Sequence, residues 1–139
     1  MTRVLFDTNL LVYVATIPDE TKHQKAAAAF DELIKHQEFC VSAQNLAEFS
    51  RVAGEKVRPV LTTAEVRQWV QNFRKNGEVI HYTGASVLSA LKISETEKIH
   101  FFDALLVATM RENGVDEIWT EDEAHFKKVR GLRVKNPLK

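Results

Sequence analysis

The sequence has 139 residues, of which 45% are hydrophobic and 27% charged, the length and composition of one globular domain with a core of its own. Nineteen Lys and Arg against nineteen Asp and Glu leave a formal net charge of zero, which excludes a protein drawn to a polyanion by its overall field; any grip on nucleic acid has to be local or carried by bound cations. Cys40 is the only cysteine, which excludes an intrachain disulfide and a thiolate metal cluster.

Arg3-Val4-Leu5-Phe6 is a short β run halted by Asp7-Thr8-Asn9, residues typical of turns and helix caps. Leu10-Leu11-Val12-Tyr13-Val14 reads as a short helix closed by Pro18. Across 20–36 the spacing of Ala26, Ala29, Phe30, Leu33 and Ile34 predicts an amphipathic helix. Phe39-Cys40-Val41 is a second strand, in which the free thiol is a small buried hydrophobe. Ser42 caps a helix over about 43–53, ended by Gly54. Thr62 or Thr63 caps the next, which carries Val66, Trp69, Val70 and Phe73 and stops at Asn76-Gly77. Glu78-Val79-Ile80-His81-Tyr82 is a third strand; helical patterns follow over about 85–91 and 102–113, the latter ended by Gly114. Glu117-Ile118-Trp119-Thr120 is a fourth strand and Leu132-Arg133-Val134 a weak fifth.

Short apolar strands alternating with helices predict one domain over 1–139, an α/β fold in which helices cover both faces of an open parallel sheet of four to five strands. No repeat or linker interrupts it. Met1-Thr2-Arg3-Val4 opens no apolar leader, and no apolar run nears membrane-spanning length, so the expected compartment is the cytoplasm, with no membrane partner.

In such a sheet, functional residues gather where strands end and helices begin. Asp7 follows the first strand, Glu48 lies early in the helix after the second with Gln44 and Asn45 on its face, and Asp122 follows the fourth. Asp103 heads an almost wholly apolar helix; bringing it to the same edge requires the segment 94–101 to lead the chain back there. Singly, each acid has a plain structural reading: Asp7 or Asp122 as a helix cap, Asp103 as a complement to the helix dipole, Glu48 as a solvated residue. Four on one edge are another matter, because each carboxylate pair at ~4 Å costs on the order of 4 kcal/mol at an effective dielectric near 20. They must share protons or hold a cation, and an oxygen-only set suits Mg²⁺ or Mn²⁺. His23, His36, His81, His100 and His125 are scattered without paired spacing, against a zinc site.

Four segments in order, Val4-Leu5-Phe6-Asp7-Thr8-Asn9, Ser42-Ala43-Gln44-Asn45-Leu46-Ala47-Glu48-Phe49, Phe102-Asp103-Ala104-Leu105-Leu106-Val107-Ala108 and Trp119-Thr120-Glu121-Asp122, resemble the motifs of the PIN domain, and within it the VapC-type toxins of toxin–antitoxin pairs. The resemblance runs from Arg3 to Val134, with Phe102 standing where many relatives carry Trp. It implies a three-layer α/β/α sandwich and an Mg²⁺- or Mn²⁺-dependent ribonuclease using one or two ions. Asp7, Glu48 and Asp103 fall on the family's acidic triad, Asp122 on its fourth acid, and Asn9 and Thr120 on supporting polar positions. It further implies an RNA substrate, a cognate antitoxin and a homodimer. Arg51, Lys56, Arg58, Lys127, Lys128 and Arg130, downstream of two of the acids, are candidate contacts to the RNA backbone, or simply a solvated face.

Two other readings compete. A haloacid-dehalogenase-type phosphatase needs a second Asp where this chain has Asn9, and a receiver domain needs paired early acids and a late Lys that are not evident. A non-catalytic module binding RNA or protein on the same fold would be expected to have lost acids, and this chain keeps all four.

Overall fold

In a computed structural model, which describes residues 2–139, five strands form one sheet: β1 (Val4–Phe6), β2 (Phe39–Ser42), β3 (Glu78–Ile80), β4 (Glu117–Trp119) and β5 (Arg133–Lys135). Every pairing is parallel and the order is β3-β2-β1-β4-β5. The chain therefore builds outward from β1 through β2 to β3, then returns to place β4 on the other side of β1. Between the strands run α1 (Thr8–Ala15), α2 (Glu20–Lys35), α3 (Ala43–Arg51), α4 (Thr63–Lys75), α5 (Gly84–Glu97), α6 (Phe101–Glu112) and α7 (Glu123–Phe126). This is the expected α/β/α sandwich.

The strands are short and apolar because both faces of the sheet are covered, yet their side chains still alternate. Val4, Phe6, Phe39, Val41 and Trp119 enter one core with residues of α1 to α4. Leu5, Cys40, Ile80 and Ile118 enter the other with residues of α5, α6 and α7. The first core is aromatic: Phe30 meets Phe39 edge-on with ring centres 4.8 Å apart, and Phe73 meets Phe49 at 5.2 Å. Such pairs add about 0.5–1.5 kcal/mol each beyond their buried area. In the second core α6 is buried continuously from Ala104 to Met110, which explains its nearly all-round apolar composition. Cys40 lies wholly buried, and burial pushes its thiol up to about 12, leaving it inert.

Several boundaries differ from the sequence reading. Gly54 does not end the helix after β2. Beyond Arg51 the helix widens into a π-helical turn, Val52–Lys56, in which the Val57 N–H bonds Val52 O at 3.0 Å. Leu61 N–H takes up the Ala53 carbonyl at 2.9 Å, so the turn is satisfied and Ala53 stays buried. The helix expected over about 85–91 continues to Glu97 as α5, because Ile93 extends its buried side. It stops at Lys98, whose backbone is left-handed at φ 56°. Strand β3 ends at Ile80 rather than Tyr82, at the sheet edge, where Tyr82 is exposed. No helix of the described residues is long and apolar enough to cross a membrane.

Candidate active site

Strand order reverses at β1, and the carboxyl ends of β1 and β4 flank that switch point, where open parallel sheets form a crevice. Asp7, the first residue beyond β1, is the N-cap of α1: its Oδ1 accepts the Thr8 N–H at 2.8 Å. The cap reading and the site reading thus describe the same side chain. Asp7 is only 8% exposed, and its Oδ2 accepts the Thr120 hydroxyl at 2.7 Å from the end of β4. Thr120 Oγ1 in turn accepts the backbone N–H of Asp122 at 3.0 Å. Asn9 completes this side, donating to Asp122 Oδ2 at 3.1 Å and accepting the Glu121 N–H at 3.2 Å. The carboxylate of Asp122 caps no helix.

Helix α3 supplies the opposite wall. Ser42 and Asn45 form its capping box, Ser42 Oγ accepting the Asn45 N–H at 2.9 Å and Asn45 Oδ1 accepting the Ser42 N–H at 3.2 Å. The box leaves the Asn45 amide donors pointing at the site: Nδ2 reaches Thr8 Oγ1 at 3.0 Å and Asp7 Oδ1 at 3.3 Å. Thr8 Oγ1 donates onward to Glu48 Oε1 at 3.0 Å, one helical turn beyond Asn45. Gln44 Nε2 donates to Phe102 O at 3.0 Å, fastening α3 to the head of α6, whose third residue is Asp103. The segment 94–101 does lead the chain back as required: Ser94 Oγ holds Ile99 O at 2.6 Å across the turn before α6.

Asp7, Glu48, Asp103 and Asp122 consequently line one cavity of about 450 Å³, together with Asn9, while Thr120 sits beneath, hydrogen-bonded to Asp7. Sequence reasoning misses Thr8 as a linking residue; its only signal there is membership of a capping cluster. Gln44 and Asn45 lie on the face of Glu48 as expected, and their hydrogen bonds give them positioning roles that the sequence does not show. His100 and His125, scattered along the sequence, converge beside Asp103: His125 Nδ1 lies 3.6 Å from Asp103 Oδ2, and the two rings stand 6.5 Å apart.

The electrostatics follow from this crowding. Burial pushes Asp7 up to about 6, with the Thr120 and Thr8 hydrogen bonds opposing and the charges of Glu48 and Asp103 adding to the rise. Burial likewise raises Glu48, opposed by its hydrogen bond from Thr8 and by the neighbouring Gln44 amide, and reinforced by the charge of Asp103. Burial raises Asp103 too, against the pull of His125 and His100. Three carboxyl groups facing one cavity are all held toward their protonated forms, so the site favours either protons or a cation. The donors are all oxygen, which fits a hard divalent ion such as Mg²⁺ or Mn²⁺. Among the described residues no three acidic, His or Cys side chains are already gathered to grip an ion between them; the four acids line the cavity without closing on one point.

The candidate RNA contacts are distributed unevenly. Arg51 lines the acidic cavity, and Lys56 and Arg58 lie exposed just beyond it along the chain. Lys127 pairs with Glu123 at 3.9 Å, and Lys128 lines a separate cavity that also contains Asp103. The backbone N–H of Arg130 is held by Glu97 at 2.9 Å.

The chain matches the PIN domain family model over residues 4–132. No curated protein matches it significantly. Among solved structures it is similar to a chain of DNA-bound VapBC from Salmonella typhimurium, with a TM-score of 0.71 at 17% identity, covering 99% of each chain. A chain of VapBC2 from Rickettsia felis, bound to a promoter DNA fragment, gives 0.70 at 17%, covering 97% of this chain and 98% of that one. VapC20 from Mycobacterium tuberculosis, described as a sarcin–ricin loop cleaving toxin, gives 0.69 at 16%, covering 91% and 95%.

Proposed function

The chain belongs to the PIN domain family, and on that footing we propose that it is an Mg²⁺- or Mn²⁺-dependent endoribonuclease, the toxin of a VapBC-type toxin–antitoxin pair. The observation that carries this reading is the convergence of Asp7, Glu48, Asp103 and Asp122 on one cavity at the switch point of the sheet. Asp7 and Asp103 would hold one or two ions, with Glu48 and Asp122 completing the set. When bound, such an ion supplies Lewis acidity to the scissile phosphate and to the attacking water, and offsets charge on the leaving oxygen.

The protein's own residues do the positioning. Thr120, Thr8 and Asn45 hold the two oxygens of Asp7 by three hydrogen bonds, Thr8 orients Glu48 and Asn9 orients Asp122. No side-chain nucleophile is required. In a chain of zero net charge, cations held by the acids also supply the attraction that an anionic strand needs.

A cognate antitoxin belongs to the same reading. Val12, Tyr13, Pro18, Val52 and Val57 give the acidic cavity an apolar side, and Ile17 beside it is 62% exposed. That surface suits an apolar helix that also delivers a basic side chain among the acids. A homodimer completes the reading, with Leu88 and Leu91 exposed on α5 to supply it with apolar surface.

The test is incubation of the purified protein with structured RNAs, tRNAs included, in Mg²⁺, in Mn²⁺ and in EDTA, beside Asp7→Asn. Discrete cleavage that requires both the metal and Asp7 is the expected result. Equal cleavage by Asp7→Asn would remove the site, and none by the folded wild type would leave a binding module on the same fold.

A further inference from the structure

A second cavity, of about 310 Å³, shares Asp103 with the acidic one but has the opposite character. Its walls carry Lys98, His100, His125 and Lys128, with Asp103 as its one acid. Neither Lys98 nor Lys128 makes an ion pair among the described residues, whereas Lys127 and Lys139 are both engaged by Glu123. Lys98 and Lys128 thus bring two unpaired positive charges to a concavity whose one acid is Asp103.

The backbone at Lys98 sharpens the point. It ends α5 in the left-handed region, φ 56° and ψ 51°, where glycine or asparagine is the ordinary choice. The chain places a lysine there, and Ser94 Oγ fixes the turn by its 2.6 Å bond to Ile99 O. The lysine is thereby projected from a rigid corner at the mouth of α6, one short step in sequence from Asp103.

We infer that this cavity is a phosphate subsite: Lys98 and Lys128 hold a backbone phosphodiester of the RNA strand next to the one that lies over the acids. The inference rests on the ribonuclease reading above and adds a direction to it. A strand crossing Asp103 passes from the acidic cavity, where cations mediate its attraction, to one where the protein's own ammonium groups meet it directly. The subsite also sets which phosphate comes to rest at the acids, because a second fixed phosphate removes the freedom to slide.

The experiment measures binding of a fluorescein-labelled tRNA pool by fluorescence anisotropy over a range of salt, in the Asp7→Asn background so that the RNA stays whole. Lys98→Ala/Lys128→Ala should weaken binding about tenfold and reduce the slope of log affinity against log salt by roughly 0.7 to 0.9, the amount for one phosphate no longer neutralised. The control, Lys35→Ala/Lys75→Ala, removes the same charge from exposed positions elsewhere and should do neither. Lys98→Arg/Lys128→Arg should restore binding, and thermal melts of each variant establish that it folds. Affinity and slope matching the control would overturn the subsite while cleavage by the wild type leaves the nuclease standing. Weakened binding beside a wild type that cuts no RNA in Mg²⁺ or Mn²⁺ keeps the subsite and overturns the nuclease instead.

Discussion

Asp7 is a carboxyl group nine-tenths buried, with two other acids bearing on it. Its folded-state pKa of about 6, against 3.8 for the free side chain, makes the fold a better proton acceptor than the unfolded chain between those values. Above pH 6 both states are ionised and the fold bears the whole cost of the buried charge, about 3 kcal/mol for a rise of that size. As pH falls from 6 toward 3.8 the folded state takes up a proton that the unfolded state does not, and this contribution to stability recovers. Asp7→Asn removes the charge and gives up about 1 kcal/mol in a buried hydrogen bond. In EDTA at pH 7.5 we expect Asp7→Asn to be the more stable by about 2 kcal/mol, the advantage shrinking as pH is lowered to 5. Urea denaturation at the two pH values measures it; an advantage that did not change with pH would mean that Asp7 is not the strained group.

At the scale of the elements, the same residues that start helices also build the site. Asp7 caps α1 and Ser42–Asn45 caps α3, so the local signals that predict these two helices place Asp7 and Glu48 beside strand ends without any knowledge of tertiary contacts. What those signals cannot give is the π-helical turn after α3, because it depends on Leu61 arriving to satisfy Ala53 O. Nor can they show why α4 stops at Asn76 with a glycine directly after it. A Cβ on Gly77 would lie 2.3 Å from Phe39 O and 2.6 Å from the Phe39 ring, so the chain passes here against β2 with no room for a side chain. Gly77→Ala has to push β3 off β2 and disturb the aromatic core around Phe39. A loss of about 2–3 kcal/mol is expected, read as a lowered denaturation midpoint, with the proposed RNA cleavage unaffected in the folded fraction because the acids lie on other elements. A neutral effect would show that β3 shifts freely at the sheet edge.

At the scale of the whole molecule, the proposed metal site predicts that stability responds to cations. Mn²⁺ at about a hundred times its dissociation constant should add about 2.7 kcal/mol to the folded state, seen as a rise in Tm that EDTA reverses. Asp103→Asn, which removes a carboxylate from the same cavity, should lose most of that rise while keeping its own melt cooperative. An undiminished rise would place the ion elsewhere.

Local signals in the chain suffice for the order and type of the elements, the covering of both sheet faces, and three acids at one edge. Short apolar runs, helical spacing of apolar residues, capping residues and turn residues are properties that each stretch of chain expresses alone. Even Asp103 is legible as an acid heading an apolar helix. That α6 returns to the edge where Asp7 ends β1 is a matter of tertiary packing, because the path through Lys98 and Ile99 is set by the seating of α5 along α6. Packing also brings His100, His125, Lys98 and Lys128 together around Asp103. Those residues come from two separate stretches of chain with no shared periodicity, so no local pattern could pair them; the sheet order and the seating of α7 beside α6 bring them into one cavity.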